Sequence, residues 1–223
     1  MHKISIDENL KQKVPALSLF AIECDVTVFP SPEKLLNLIG EKSKEVRASL
    51  KTDDISRLPA IHDSRCAYKA AGKDPARYRL SAEALLRRIV RGDELYLISN
   101  VVDLLNLVSI STGFSIGGYD ASKINGDIEF GIGMPGELYS GINRGSLNID
   151  GLPVFRDLSG AFGTPTSDSE RTCVDGNTSR FLMIIVSFGK SSDVCEAGSL
   201  AISLLKAYAN AVSIETNIIH ATI

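Results

Sequence analysis

Three polar side chains interrupt an apolar stretch at a spacing of three: Asn100, Asp103 and Asn106, set among Val101, Val102, Leu104, Leu105, Leu107 and Val108. On a helix that spacing puts them along one line. A carboxylate there could serve as a general base, and the amides could orient a substrate. A buried polar group is costly unless satisfied. Asn100 and Asp103 have a local outlet, because a helix cap and an acid three residues on can bond each other's backbone amides. Asn106 sits mid-helix, so it either bonds a neighbouring loop or faces a pocket. Downstream, Gly117-Gly118 would let a ligand or another backbone approach closely, with Tyr119 and Asp120 following at once. The alternative there is a tight loop in which Asp120 makes an Asx-type turn. A second dense polar segment, Asp168-Ser169-Glu170-Arg171-Thr172, could line a pocket mouth or form a surface connection.

Cations concentrate elsewhere. Between Arg65 and Arg91 the basic residues are Arg65, Lys69, Lys73, Arg77, Arg79, Arg87, Arg88 and Arg91, against Asp74 and Glu83. The patch is therefore +6 within a chain of formal charge −3. Tyr68 and Tyr78 interleave with it. Arginine offers paired donors to phosphate, and tyrosine offers a face to a base, so the patch suits RNA. As a bland alternative, it is a solvated helix face with a Glu83–Arg87 pair. The overall negative charge argues against general attraction to polyanions, and DNA is not an expected partner.

Several chemistries are disfavoured. His2, His62 and His220 are the only histidines, and His62 has no accompanying serine motif. No phosphate-cradling glycine motif of the ATPase or dinucleotide type occurs. Cys24, Cys66, Cys173 and Cys195 show no C-x-x-C spacing, so no metal and no cofactor is expected. Scattered thiols, with no signal peptide and no long apolar span, suggest a cytoplasmic protein without a membrane role.

The elements that must position these residues can be read from periodicity. The composition, 44% hydrophobic and 23% charged over 223 residues, supports a sizeable core. Residues 1–13 read as polar and peripheral. A strand is expected over Ala16–Phe29, then a helix capped at Ser31-Pro32 and running to about Leu50. A short helix follows at Ser64–Ala71. Ser81 caps the next, with Glu83 in its first turn and Gly92 as its stop. Glu94–Ser99 reads as a strand leading into a helix capped by Asn100 and ending at Gly113. Ten of the 18 glycines then fall between Gly113 and Gly151, which predicts short antiparallel strands and turns. Thr164–Ser179 is loop-like, and Phe181–Phe188 a buried strand. Ser191 or Ser192 opens a last amphipathic helix, and Val212–Ile219 is a strand. The expectation is one α+β domain over 1–223, α-rich over about 1–113 and β-rich over about 114–223, with mixed or antiparallel sheets and flanking helices.

The run Ile98-Ser99-Asn100-Val101-Val102-Asp103 … Asn106 followed by Gly117-Gly118-Tyr119-Asp120 resembles the B3/B4 domain of the bacterial phenylalanyl-tRNA synthetase β-subunit. The segment around Arg79–Arg88 and the later Asp168–Thr172 look more like free-standing proteins built on that domain. The resemblance covers about Arg65 to Ser187. It implies a B3/B4-like fold and an editing pocket between two lobes, where mischarged aminoacyl-tRNA is hydrolysed. It puts Asn106 on a pocket asparagine and Gly160–Gly163 on a pocket glycine loop. Two family groups are replaced: the loop histidine is Gly117 here, and no acid lies within Phe181–Val186 where a pocket glutamate is expected. Ester hydrolysis needs a base and oxyanion donors. The candidate bases are Asp103, Asp120, Asp168 and Glu170. The candidate pocket is Asn100, Asn106, Gly117, Gly118, Tyr119, Gly160, Gly163, Arg171 and Thr172, and the candidate RNA contacts are Arg65, Arg77, Arg79, Arg87, Arg88 and Arg91. The expected partner is tRNA or aminoacyl-tRNA. The alternative is a non-catalytic pocket for an amino acid or other small metabolite.

Overall fold

The computed structural model describes residues 1–190 and 193–221. The elements run β1 (Ile4–Ile6), α1 (Glu8–Lys13), β2 (Ser18–Asp25), α2 (Glu33–Ser49), α3 (Pro59–Ala70), α4 (Ser81–Val90), α5 (Asn100–Thr112), β3 (Ser115–Asp120), β4 (Ile128–Ile132), β5 (Ser140–Gly141), β6 (Gly145–Ser146), β7 (Pro153–Asp157), β8 (Gly160–Gly163), β9 (Arg180–Ser187), α6 (Val194–Tyr208) and β10 (Val212–His220).

Strand β9 explains the layering. Its side chains are buried on both faces, so something apolar must cover each face. The sheet built on it has the order β10-β2-β9-β3, with every pairing antiparallel. Phe181, Met183 and Ile185 project with Phe20, Ile22 and Ile116 into a core shared with α2, α4, α5 and α6. Leu182, Ile184 and Val186 project to the other side, where a second sheet of order β1-β4-β7-β8 supplies Phe130, Val154, Phe155 and Phe162. In that sheet β1 and β4 are parallel and the remaining pairs antiparallel. The result is an α+β arrangement of helices, sheet and sheet. The segment between β4 and β7 carries the small β5–β6 hairpin.

Several sequence expectations need correction. Residues 1–13 are not peripheral: Ile4 and Ile6 are buried in β1, and Asp7 caps α1, which buries Leu10 completely. A three-residue strand among charged neighbours is too short to show its alternation. Ser31 does not cap α2; Pro32 holds that position, and the Ser31 hydroxyl donates to Asp103 at 2.6 Å. The third helix starts earlier than expected, with Pro59 in its first turn. Glu94–Ser99 is not a strand. Its backbone is held by side chains instead, Arg88 donating to the Glu94 carbonyl and Asp103 accepting from the Ile98 amide, and Tyr96, Leu97 and Ile98 stay exposed. Asn100 lies inside α5, and Ser99 is at its cap position without a side-chain bond. Ser81 likewise starts α4 without capping it. The expected helix start at Ser191 or Ser192 lies outside the described residues; Asp193 caps α6 through the Cys195 amide. Among the described residues no helix is long and apolar enough to cross a membrane.

Glu83 is more than a dipole partner for α4. It is 1% exposed and accepts from Arg65 at 3.0 Å and from Arg87 at 2.9 Å, tying α3 to α4. Removing the carboxylate strands two half-buried guanidiniums. Glu83→Ala should therefore cost about 3 kcal/mol in chemical denaturation, near the low end for a buried pair because both arginines keep some solvent.

Candidate functional site

Two of the three residues that read as a polar stripe on α5, Asn100 and Asp103, are spent on structure. Asn100 accepts from the Phe29 amide at 3.0 Å and donates to the Thr27 and Tyr208 carbonyls at 2.9 and 2.8 Å. It stitches the segment after β2 and the end of α6 to α5. Asp103 takes the Ser31 hydroxyl and the Ile98 amide, one on each oxygen. Asn106 is partly exposed and makes no hydrogen bond among the described residues. Asp120 accepts the Ser122 amide and hydroxyl on one oxygen and the Thr178 hydroxyl on the other. This is the Asx-type turn, closed by a distant threonine.

Gly117 and Gly163 do leave open space, and Tyr119 fills it. A Cβ at either position would fall 2.0 or 2.2 Å from the Tyr119 hydroxyl oxygen. Gly117 and Tyr119 share a face of β3, so the ring lies along its own strand and its hydroxyl reaches Asp168 at 2.9 Å. Burial and the neighbouring Asp168 charge push the Tyr119 hydroxyl well above the usual tyrosine range, so it stays protonated and donates. Asp168 is pushed up to about 7 by burial, offset in part by donation from Tyr119 and the Gly118 amide. Gly118 faces the helical side, where Leu105 closes on it. Arg171 clamps Asp157 with both terminal nitrogens, at 3.0 and 2.8 Å, and donates to the Gly160 carbonyl at the turn into β8. Burial opposes the charge on Asp157, but Arg171 and the Asn125 and Ser159 amides hold it below the usual carboxylate range. Thr172 is fully buried, and its hydroxyl has no hydrogen-bond partner among the described residues. Glu170, by contrast, is exposed.

The basic patch divides in the same way. Arg65 and Arg87 are taken by Glu83. Arg88 lies over the Tyr96 ring at 4.0 Å, and Arg91 is 3.6 Å from Asp93. Arg77 and Arg79 go elsewhere. They line a cavity of about 560 Å³ with Tyr78, Tyr139, Arg144 and Ser167, together with Thr164, Thr166, Asn148 and apolar side chains. The cavity is bounded by the loop before α4, the β5–β6 hairpin and the turn after β8. Its volume suits a small organic group.

Arg77, Arg79 and Arg144 are exposed, and among the described residues none of their side chains makes an ion pair or hydrogen bond. Every other arginine has a polar partner. The cavity lining holds no carboxylate and no histidine. The three free guanidiniums therefore create an uncompensated positive field over a concave surface, which attracts anions. The walls are held from behind: the Tyr139 hydroxyl donates to the Ser167 carbonyl at 2.5 Å, and the Tyr68 and Thr166 hydroxyls lie 3.2 Å apart. Sequence reading missed Arg144, Tyr139, Thr164, Thr166 and Ser167. One signal was present for Arg144, the single charged residue between Glu137 and Asp150 and set beside a turn glycine. Among the described residues no three His, Cys, Asp or Glu side chains group as a metal site.

The B3/4 domain family matches over residues 63–217, well over half of the chain, and the chain belongs to that family. The matched region contains the whole cavity lining. Among solved structures, an N-terminal fragment of the phenylalanyl-tRNA synthetase beta-subunit from Pyrococcus horikoshii is similar at a TM-score of 0.49 and 14% identity. The similarity covers 97% of this chain and 50% of that one, so this chain spans half the length of that fragment. No curated protein matches the chain.

Asp168 gives a test of the buried bond to Tyr119. Its carboxyl is raised from 3.8 to about 7, so its share of stability is complete below 3.8 and is lost as pH rises through about 7. Asp168→Asn keeps an acceptor for the Tyr119 hydroxyl and removes the titration. Melting temperatures from pH 4 to 8 should fall more steeply for the native protein than for the variant, and the two curves should diverge most above pH 7.

Proposed function

We propose that this chain is an RNA-binding domain whose arginine-lined cavity takes the 3′ end of tRNA or aminoacyl-tRNA. One observation carries the reading: the three arginines whose side chains have no ion pair or hydrogen bond among the described residues all converge on one cavity. Guanidiniums recognise phosphate through paired donors, and Tyr78 supplies an aromatic face beside them. Arg77 already lies 5.9 Å from the Tyr78 ring centroid, and Lys73 lies 5.8 Å away on the same ring. Membership of the B3/4 domain family, and the motif likeness to the synthetase editing domain, point to the aminoacylated 3′ end as the RNA element of interest.

The lining favours the phosphates of an RNA end over a free amino acid, and the ammonium that an aminoacyl ester also carries would have to lie away from the three guanidiniums. A zwitterion brings an ammonium group as well as a carboxylate, and every charged side chain around the cavity is a cation. Its ammonium would have only hydroxyls and carbonyls to meet, beside three repelling guanidiniums.

The geometry also favours binding over hydrolysis. Two of the candidate bases, Asp103 and Asp120, have both oxygens engaged by the fold, and Asp168 is committed to Tyr119 and Gly118. Filter binding of tRNA at several salt concentrations tests the reading. The native protein should bind with a steep salt dependence. Replacing Arg77 and Arg79 together by alanine should weaken binding by about 10- to 100-fold and flatten the log–log salt slope by about 1.4. Mischarged aminoacyl-tRNAs should be bound and deacylated no faster than in buffer. Absence of salt-sensitive binding would remove the RNA reading, and deacylation abolished by Asp168→Asn would remove the non-catalytic one.

A further inference from the structure

Among the described residues the inner sheet has one exposed edge strand with no strand paired to its outer side. Its β3 edge is buried, whereas β10 is exposed along almost its whole length, with Val212 59% and Ile218 39% accessible. The second sheet ends in β1, of three residues, and β8, of four with an irregular register. Among the described residues β10 is therefore the long open edge. Of the usual protections of such an edge it carries only a bulge at its start and the charge of Glu215. It contains no proline and no lysine, and its single irregularity lies between Val212 and Glu215. From Glu215 to His220 it is a regular strand.

The hydrogen-bond parity identifies the free groups. The Ala221 amide donates to the Leu17 carbonyl across the β10–β2 ladder. In an antiparallel ladder alternate residues bond the same neighbour, so Ile219, Asn217 and Glu215 also face β2. Thr216, Ile218 and His220 then point their amides and carbonyls outward, away from the sheet.

We infer that β10 pairs antiparallel with β10 of a second copy of this chain, joining two four-stranded sheets into one of eight strands across a twofold axis at Ile218. Self-pairing demands self-complementarity, because each residue meets its symmetry mate's counterpart. The register centred on Ile218 supplies it. Thr216 meets the partner's His220 and Ile218 meets the partner's Ile218, so all three outward-facing residues are bonded on each strand. Asn217 falls opposite the partner's Ile219. Glu215, the one acidic residue of β10, falls opposite the partner's Ala221, so no like charges face each other across the axis. Its carboxylate is also compensated within its own chain by Arg180 and the N-terminal amine, at 3.0 Å from the latter. The exposed Ile218 side chains cover one another on the sheet face that carries the helices, because Ile218 pairs with Phe20 and shares its face.

Sedimentation velocity on the full chain tests the pairing. The native protein should be a dimer. Ile218→Lys places two ammonium groups side by side at the axis and should give a monomer with an unchanged circular-dichroism spectrum, since the position is exposed. Thr216→Pro removes an outward amide without touching the bonds to β2, and should also give a monomer. A native protein that stays monomeric at its highest soluble concentration would overturn the inference. So would a dimer that survives Ile218→Lys. Neither result bears on RNA binding at the cavity, which lies on other elements.

Discussion

The burial of β9 on both faces is the constraint from which the rest follows. An eight-residue strand from Arg180 to Ser187 with no exposed residue cannot stand at a surface or carry polar groups inward. Helices must close one side and a second sheet the other. Those two layers then fix where the connecting loops emerge. The loop before α4, the β5–β6 hairpin and the turn following β8 come out together and enclose the cavity. The site is thus built from irregular segments on a rigid scaffold, where binding residues commonly lie.

Within that scaffold most polar residues that look functional act as fasteners. Asn100 ties three separate segments together, Glu83 joins two helices, and Arg171 pins the β7–β8 turn through Asp157. Glu23 on β2 does the same, joining the N-terminal segment to β9. Burial raises its carboxyl, yet donors from His2 and Arg180 hold it at about 2. Tyr119 is the clearest instance. Its ring occupies the space above Gly117 and Gly163, and its hydroxyl is paired with Asp168. The glycines are there to admit an internal side chain.

The sequence carried the layers better than it carried the site. The run Phe181–Phe188 reads as a two-sided buried strand because all its residues are apolar or small, and the glycine-rich region reads correctly as short strands and turns. Gly92 and Gly113 mark helix ends through positive φ, a local property. Errors arose where the deciding partner is remote. Nothing near Asn100 announces that it will meet Thr27 and Tyr208, and nothing in Tyr96-Leu97-Ile98 shows that arginine and aspartate side chains will hold that backbone away from a sheet. The cavity was half legible for the same reason. Arg77 and Arg79 stand out in a local cluster, but Arg144 approaches them only through the folding of the β-rich half, as do Thr164, Thr166 and Ser167. Charge density in sequence cannot separate arginines taken by carboxylates from arginines left free, and that distinction defines the site.

The central claim is that the free arginines, and not the helix-α4 arginines, meet the nucleic acid. Side-chain Nε–Hε resonances of arginine, followed by nuclear magnetic resonance during titration with a short single-stranded RNA, separate the two directly. Arg77, Arg79 and Arg144 should shift together and saturably, while Arg65, Arg87 and Arg180 stay in place. Shifts confined to Arg88 and Arg91, with the cavity arginines silent, would contradict it.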